Sequence, residues 1–167
     1  MTLEQAIKTA IDYEIKVRDA YLTSAGKITD QTGRRVFEVL GKEEQGHVDY
    51  LQAKLAEWQR TGRAKAGKLE TVVPAKRVIE AGVRKLDAHL GARDYGTELE
   101  MLRKALALEQ ETSNFYRKMV TQMKQDGELF GRFLEIEEGH QAIVQAEIDY
   151  LTRSGTFFDF QEFNLED

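Results

Sequence analysis

The chain contains no cysteine, and that absence removes disulfides, zinc ribbons, iron–sulfur clusters and thiol catalysis together. Proline is almost as scarce, with one residue, Pro74, in 167. With Ala, Leu, Glu, Lys and Arg abundant, so few breakers favour long helices over strands. Positive charge is not in excess either. The formal net charge is -5 and the sequence pI about 5.4, which gives a nucleic-acid partner no electrostatic support. No apolar run approaches the ~20 residues that span a bilayer, so no membrane span is expected. The opening residues Met1-Thr2-Leu3-Glu4-Gln5 lack the basic-then-apolar order of a signal peptide, and the expected location is the cytoplasm. What is present is 41% apolar and 32% charged residues, enough at this length for one domain with a real core.

Four long segments carry a helical apolar period. The first spans about Thr2 to Ser24, with Leu3, Ile7, Ala10, Val17 and Tyr21 on one stripe and a capping box from Thr2 to Gln5 at its start. A short turn around Gly26 and Thr29-Asp30 leads to the second, about Gln31 to Arg60, with Phe37, Leu40, Leu51, Leu55 and Trp58, stopping at Thr61-Gly62. The third starts near Thr97, where Thr97 and Glu100 suggest a second capping box, and continues through Leu102, Ala105 and Tyr116 to about Lys124. After a turn at Asp126-Gly127 the fourth covers about Glu128 to Arg153, with Phe130, Phe133, Val144, Ile148 and Leu151, and stops at Ser154-Gly155. Between the second and third lies a long crossover, 62–96, in which a shorter amphipathic helix is expected from Pro74 with Ile79, Val83, Leu86 and Leu90. Short, long, short connections join two antiparallel helix pairs. The expected fold is all-α, an antiparallel four-helix bundle over residues 1–155 with an aromatic C-terminal tail, 156–167.

The two halves repeat. Phe37-x2-Leu40-x3-Glu44-x2-His47 superposes without a gap on Phe130-x2-Phe133-x3-Glu137-x2-His140, and Thr61-Gly62 on Ser154-Gly155. Ile7, Ala10, Glu14 and Tyr21 likewise match Leu102, Ala105, Glu109 and Tyr116. Polar residues interrupt each stripe at matching places: Glu14 in the first, Glu44 and His47 in the second, Glu109 in the third, Glu137 and His140 in the fourth. An unpaired carboxylate in an apolar interior costs several kcal/mol or takes up a proton. No Lys or Arg on these stripes neutralises the four glutamates. Metal cations would, and four Glu with two His supply two ions with two carboxylates and one imidazole each. Mixed carboxylate and imidazole ligation suits iron, or manganese, better than zinc. The competing reading is a metal-free bundle with a hydrogen-bonded polar layer.

These motifs resemble the rubrerythrin-type branch of the ferritin-like superfamily over about residues 1–60 and 96–155. The resemblance implies that Glu14 and Glu109 chelate one metal each, that Glu44 and Glu137 bridge the two ions, and that His47 and His140 each cap one. Tyr21 and Tyr116 match tyrosines that hydrogen-bond ligand carboxylates in such proteins. It implies two iron ions per chain, with manganese the alternative, and an Fe(II) centre that reduces peroxide or dioxygen, in peroxide scavenging or iron handling. Three departures stand out. Rubrerythrin has a further glutamate where this chain has Thr112. Its cysteine-ligated rubredoxin module cannot exist here, so an external electron donor is expected. Bacterioferritin shares the ligand set but has its haem-binding Met where this chain has Gln45, so no haem is expected. A homodimer is the expected assembly. Iron sequestration without turnover, and a structural module stapled by metal, are the alternative functions.

Other residues read more plainly. His89, among Arg84, Lys85 and Arg93, has no acidic partner at ligand spacing and reads as a surface histidine. Glu43 and Glu138 adjoin ligand positions on neighbouring faces and read as solvated. The aromatic run Phe157-Phe158-Asp159-Phe160-Gln161-Glu162-Phe163 either covers the bundle end or meets a second subunit.

Overall fold

The computed structural model describes residues 1–84 and 96–160. All regular structure among them is helical: α1 (Leu3–Ala25), α2 (Gln31–Thr61), α3 (Lys76–Arg84), α4 (Gly96–Gln122) and α5 (Glu128–Ser154), with a 3-10 turn at Lys124–Gly127. None of these helices is long and apolar enough to cross a membrane. The caps explain several boundaries. At α1 the Gln5 amide donates to the Thr2 hydroxyl (3.2 Å) and the Thr2 amide to the Gln5 side chain (2.8 Å), the reciprocal box expected from sequence. The Gly33 amide donates to Asp30 Oδ1 at 2.8 Å to start α2. Both α2 and α5 stop at a left-handed glycine, Gly62 (φ 71°) and Gly155 (φ 74°), so the repeat extends to its terminators.

Neighbouring long helices run antiparallel. Tyr21 near the end of α1 meets Phe37 near the start of α2 (rings 5.8 Å apart), while Glu4 and Gln59 meet at the opposite ends, 3.5 Å apart. Phe115 of α4 packs on Phe130 of α5 (6.3 Å), and Tyr13 of α1 on Phe115 (5.1 Å). Every apolar stripe residue named from the periodicity of α1, α4 and α5 is buried; on α2, Phe37, Leu40 and Leu51 are buried, whereas Leu55 and Trp58 are half-buried near its end. The core falls into two apolar clusters. One holds Val17, Tyr21, Phe37, Leu40, Leu102, Val144 and Leu151, the other Ile7, Ala10, Leu51, Tyr116, Phe130 and Phe133. On each long helix the Glu and His positions lie between the two.

The connections differ in detail from the sequence expectation. The crossover helix begins at Lys76 rather than Pro74, because the Ala75 carbonyl is the first acceptor, taking the Val78 and Ile79 amides at 2.9 and 3.1 Å. Helix α4 starts at Gly96, which puts Thr97 inside the first turn instead of at a cap. It ends at Gln122, not Lys124: Lys124 has φ 50°, which an α-helix cannot continue, and Asp126-Gly127 belongs to the 3-10 turn. Leu86, His89 and Leu90, and Gln161, Glu162 and Phe163 of the tail, lie outside the described residues.

Described tail residues pack against their own chain. Phe157, Phe158 and Phe160 are buried, Phe158 makes an edge contact with Tyr150 (5.5 Å), and Arg35 pairs with Asp159 at 2.7 Å. The Phe158 amide donates to Glu147 Oε2 at 3.2 Å, while Glu147 Oε1 is buried with no hydrogen-bond partner. Burial first, then the carboxylates of Asp159 and Asp30, hold the Glu147 carboxyl well above its ordinary value of 4.5 despite the Phe158 amide. Such a group binds its proton more tightly folded than unfolded. The stability it contributes is therefore present below the ordinary value and lost as pH rises toward the folded one. Glu147→Gln keeps an acceptor for Phe158 and cannot ionise. Melting curves should show its melting temperature gaining on the wild type as pH rises above 4.5. A gap that stays constant with pH would mean Glu147 does not titrate between the two states.

Candidate metal centre

Glutamate and histidine three residues apart share one helix face, so Glu44 and His47 on α2, and Glu137 and His140 on α5, project together toward Glu14 of α1 and Glu109 of α4. All six side chains are essentially excluded from solvent. They fall into two groups, each with one ligand atom per residue and those atoms within 4.8 Å of one another: Glu14, Glu44, His47 and Glu137, and Glu44, Glu109, Glu137 and His140. Glu44 and Glu137 belong to both. The structure thus brings together all six residues singled out from the sequence, with the two α2/α5 glutamates in the shared position.

The local distances are short and converge. His47 Nδ1 lies 3.2 Å from Glu44, 3.2 Å from Glu137 and 3.4 Å from Glu14, yet makes a directed hydrogen bond to none of them. His140 Nδ1 lies 2.6 Å from Glu44 Oε1, 3.3 Å from Glu109 and 3.6 Å from Glu137. The two imidazoles stack with centroids 5.7 Å apart. Tyrosines cross between the halves: Tyr21 donates to Glu109 Oε1 at 2.6 Å and Tyr116 to Glu14 Oε1 at 2.5 Å. Each tyrosine fixes one oxygen of a carboxylate and leaves Oε2 without a partner.

Burial pushes all four carboxyls up, and their neighbours then separate them. Burial with Glu14 and Glu109 nearby raises Glu44 to about 8. Burial with Glu109, Glu14 and Glu44 raises Glu137 as well. Against burial, the His47 charge and hydrogen bonds from its surroundings bring Glu14 down to about 2. Glu109 is lowered against burial by the adjoining Glu137 carboxyl, by His140 and by Tyr21. Burial would lower both histidines, but the facing carboxylates raise them. Without metal, the cluster therefore holds protons tightly at Glu44, Glu137, His47 and His140.

Those protons do not satisfy the hydrogen-bond inventory. Glu14 Oε2, Glu44 Oε2, Glu109 Oε2, both Glu137 oxygens and both His47 nitrogens are buried without a partner. At about 1–3 kcal/mol for each orphaned polar atom, such a set rivals the roughly 5–15 kcal/mol that holds a whole domain folded. Oxygen and imidazole donors converging in two overlapping groups can hold a metal ion.

One residue reads differently here than from sequence. Glu43 is not solvated: its side chain is 8% exposed, and Oε2 lies 2.8 Å from His140 Nε2. It also accepts from the Thr71 hydroxyl at 2.7 and 2.9 Å and, at very short range, from the Val72 amide. Burial alone would raise its carboxyl; His140, then Thr71 and Val72, bring it down to about 2. The crossover can approach this closely because the residue before His140 is Gly139, whose added Cβ would meet the Pro74 carbonyl at 3.2 Å. Glu138 does remain at the surface, paired loosely with Arg117 at 3.4 Å. Glu147 escaped notice in the sequence, although it stands seven residues after His140 and so on the same inward face. Thr112, the point of departure from rubrerythrin, is buried and turns its hydroxyl to the Leu108 carbonyl at 2.8 Å. Comparison with known proteins adds no constraint: no family model, no curated protein and no solved structure matches the chain.

Proposed function

We propose that this is a ferritin-like four-helix bundle whose centre holds two iron ions and uses them to reduce peroxide or dioxygen. The observation that carries the reading is the pair of overlapping ligand groups sharing Glu44 and Glu137, amid buried donor atoms that find no partner in the protein. Glu14 and His47 would hold one ion, Glu109 and His140 the other, with Glu44 and Glu137 common to both. Two adjacent irons supply the pair of electrons that breaking an O–O bond requires.

The chain supplies the rest. Tyr21 and Tyr116 stay protonated, because burial and then the neighbouring carboxylates raise them well above their ordinary value, so each remains a hydrogen-bond donor that fixes a glutamate. Phe37, Phe130 and Phe133 are fully buried in the two flanking clusters and keep bulk water from the ligand layer. With no cysteine in the chain, the electrons that restore Fe(II) come from an external donor. The deciding measurement is metal content after purification without chelators, read beside the visible spectrum. Two irons per chain are expected; iron-loaded protein holding one ion or none overturns the dinuclear reading.

A further inference from the structure

The ligand and tyrosine positions of the two halves match, but the residue next to the first shared glutamate does not. Glu14 pairs with Glu109, Glu44 with Glu137, His47 with His140 and Tyr21 with Tyr116, but the residue matching Glu43 is Ile136. Consequently the outer nitrogen of His140 meets a carboxylate at 2.8 Å, whereas the outer nitrogen of His47 is buried without a partner. We propose that Glu43 is a positioning residue that makes the two metal positions unequal, so that the ion on His140 binds first and more tightly than the ion on His47. The inference rests on the dinuclear reading above.

Hydrogen-bond logic places a hydrogen on Nε2 of His140. The other partners of Glu43, the Thr71 hydroxyl and the Val72 amide, both donate to it. A carboxylate accepting from them is an acceptor for His140 too, so Nε2 carries the hydrogen. Nδ1 then faces Glu44, Glu109 and Glu137, and it is the nitrogen that gives up its proton and offers a lone pair when a metal binds. A carboxylate on the far nitrogen holds the ring orientation and makes the ligating nitrogen more basic; loss of such a partner costs about 10–100-fold in metal affinity. On its outer side His47 has only packing to orient it, an edge contact with Phe133 at 5.2 Å and the stack on His140. Neither contact selects a tautomer. Glu43 also ties the crossover to the centre through Thr71, so its positioning role must be separated from that tie.

The test is anaerobic titration of the full chain with Co(II), followed by its visible absorption. Wild-type protein should bind two Co(II) in two resolved steps, the first at least tenfold tighter. His140→Ala should remove the tight step and His47→Ala the weak one. Glu43→Gln should weaken the tight step by about 10–100-fold and leave the other within about twofold. Thr71→Val removes the crossover hydroxyl while keeping Glu43 on His140, and should leave both steps unchanged. In the Co(II)-loaded wild type, proton NMR should show one slowly exchanging, paramagnetically shifted imidazole N–H, from His140, with that of His47 exchanging much faster. This last readout stands even if Glu43→Gln does not fold. Two equal steps, equal weakening of both steps by Glu43→Gln, the same loss from Thr71→Val, or equal exchange of the two N–H groups each overturn the inference and leave the dinuclear reading intact. Fewer than two Co(II) per wild-type chain overturns both.

Discussion

Loading the protein with two divalent ions should raise its melting temperature by on the order of 20 °C, and chelation should reverse the change. An ion that binds only the folded state stabilises by mass action, about 4 kcal/mol at a thousandfold excess over its dissociation constant. Two such ions contribute about 8 kcal/mol, and a domain of this size shifts by roughly 2–4 °C per kcal/mol. The effect should grow with pH. Glu44, Glu137, His47 and His140 all bind their protons more tightly in the metal-free fold than when unfolded, so protons compete with metal. Each of these four groups has a folded value raised above its ordinary one. The stability they give the metal-free protein is present at low pH and falls away as pH rises; for Glu44 the window runs from its ordinary 4.5 up to about 8. Metal-free melting temperature should therefore decline across that window while the loaded protein's does not. A pH indicator in weakly buffered solution should register proton release as metal is added. Equal melting curves with and without confirmed metal would instead mark the cluster as a satisfied polar layer.

The parts of this centre that sequence reveals are those governed by helical periodicity. Glu14, Glu44, His47, Glu109, Glu137 and His140 are legible because each occupies a place where its own stripe calls for an apolar residue, and the repeat supplies the same exception twice. Tyr21 and Tyr116 are legible as stripe residues, but their crossed pairing, Tyr21 to Glu109 and Tyr116 to Glu14, depends on which helices adjoin. Glu43 was hidden for a related reason. One residue along from Glu44, it points about 100° away, and only the path of the irregular stretch at Thr71 and Val72 turns that direction inward. Irregular segments carry no period, so their contacts do not show in a pattern. The same holds for Glu147, whose inward spacing was visible but whose partner, the Phe158 amide, lies in the tail. The end of α4 escaped for a local reason: nothing about Lys124 as a residue type announces a positive φ.

Anaerobic protein loaded with Fe(II) should consume hydrogen peroxide in a fast phase and then stop at about one peroxide per chain. The stoichiometry follows from electrons: two ferrous ions give up one each, one peroxide takes two, and with two protons the products are two ferric ions and two waters. The stop follows from composition, since the chain has no cysteine to bind a second iron centre that could return the electrons; adding an external donor should restore turnover. The variants should divide by what each side chain does. Glu137 belongs to both ligand groups, so Glu137→Ala should abolish the fast phase and disturb both ions. Tyr116 touches only Glu14 Oε1 within the cluster, so Tyr116→Phe should keep two irons but slow the phase by about 10–100-fold, the usual cost of losing a hydrogen bond behind a ligand. Thr112, buried with its hydroxyl turned to a backbone carbonyl, stands where rubrerythrin places a further carboxylate. Dioxygen must therefore be tested beside peroxide. If neither oxidant consumes the protein-bound ferrous iron faster than free ferrous iron in the same buffer, the redox reading fails, and a binding or structural role for the metal takes its place.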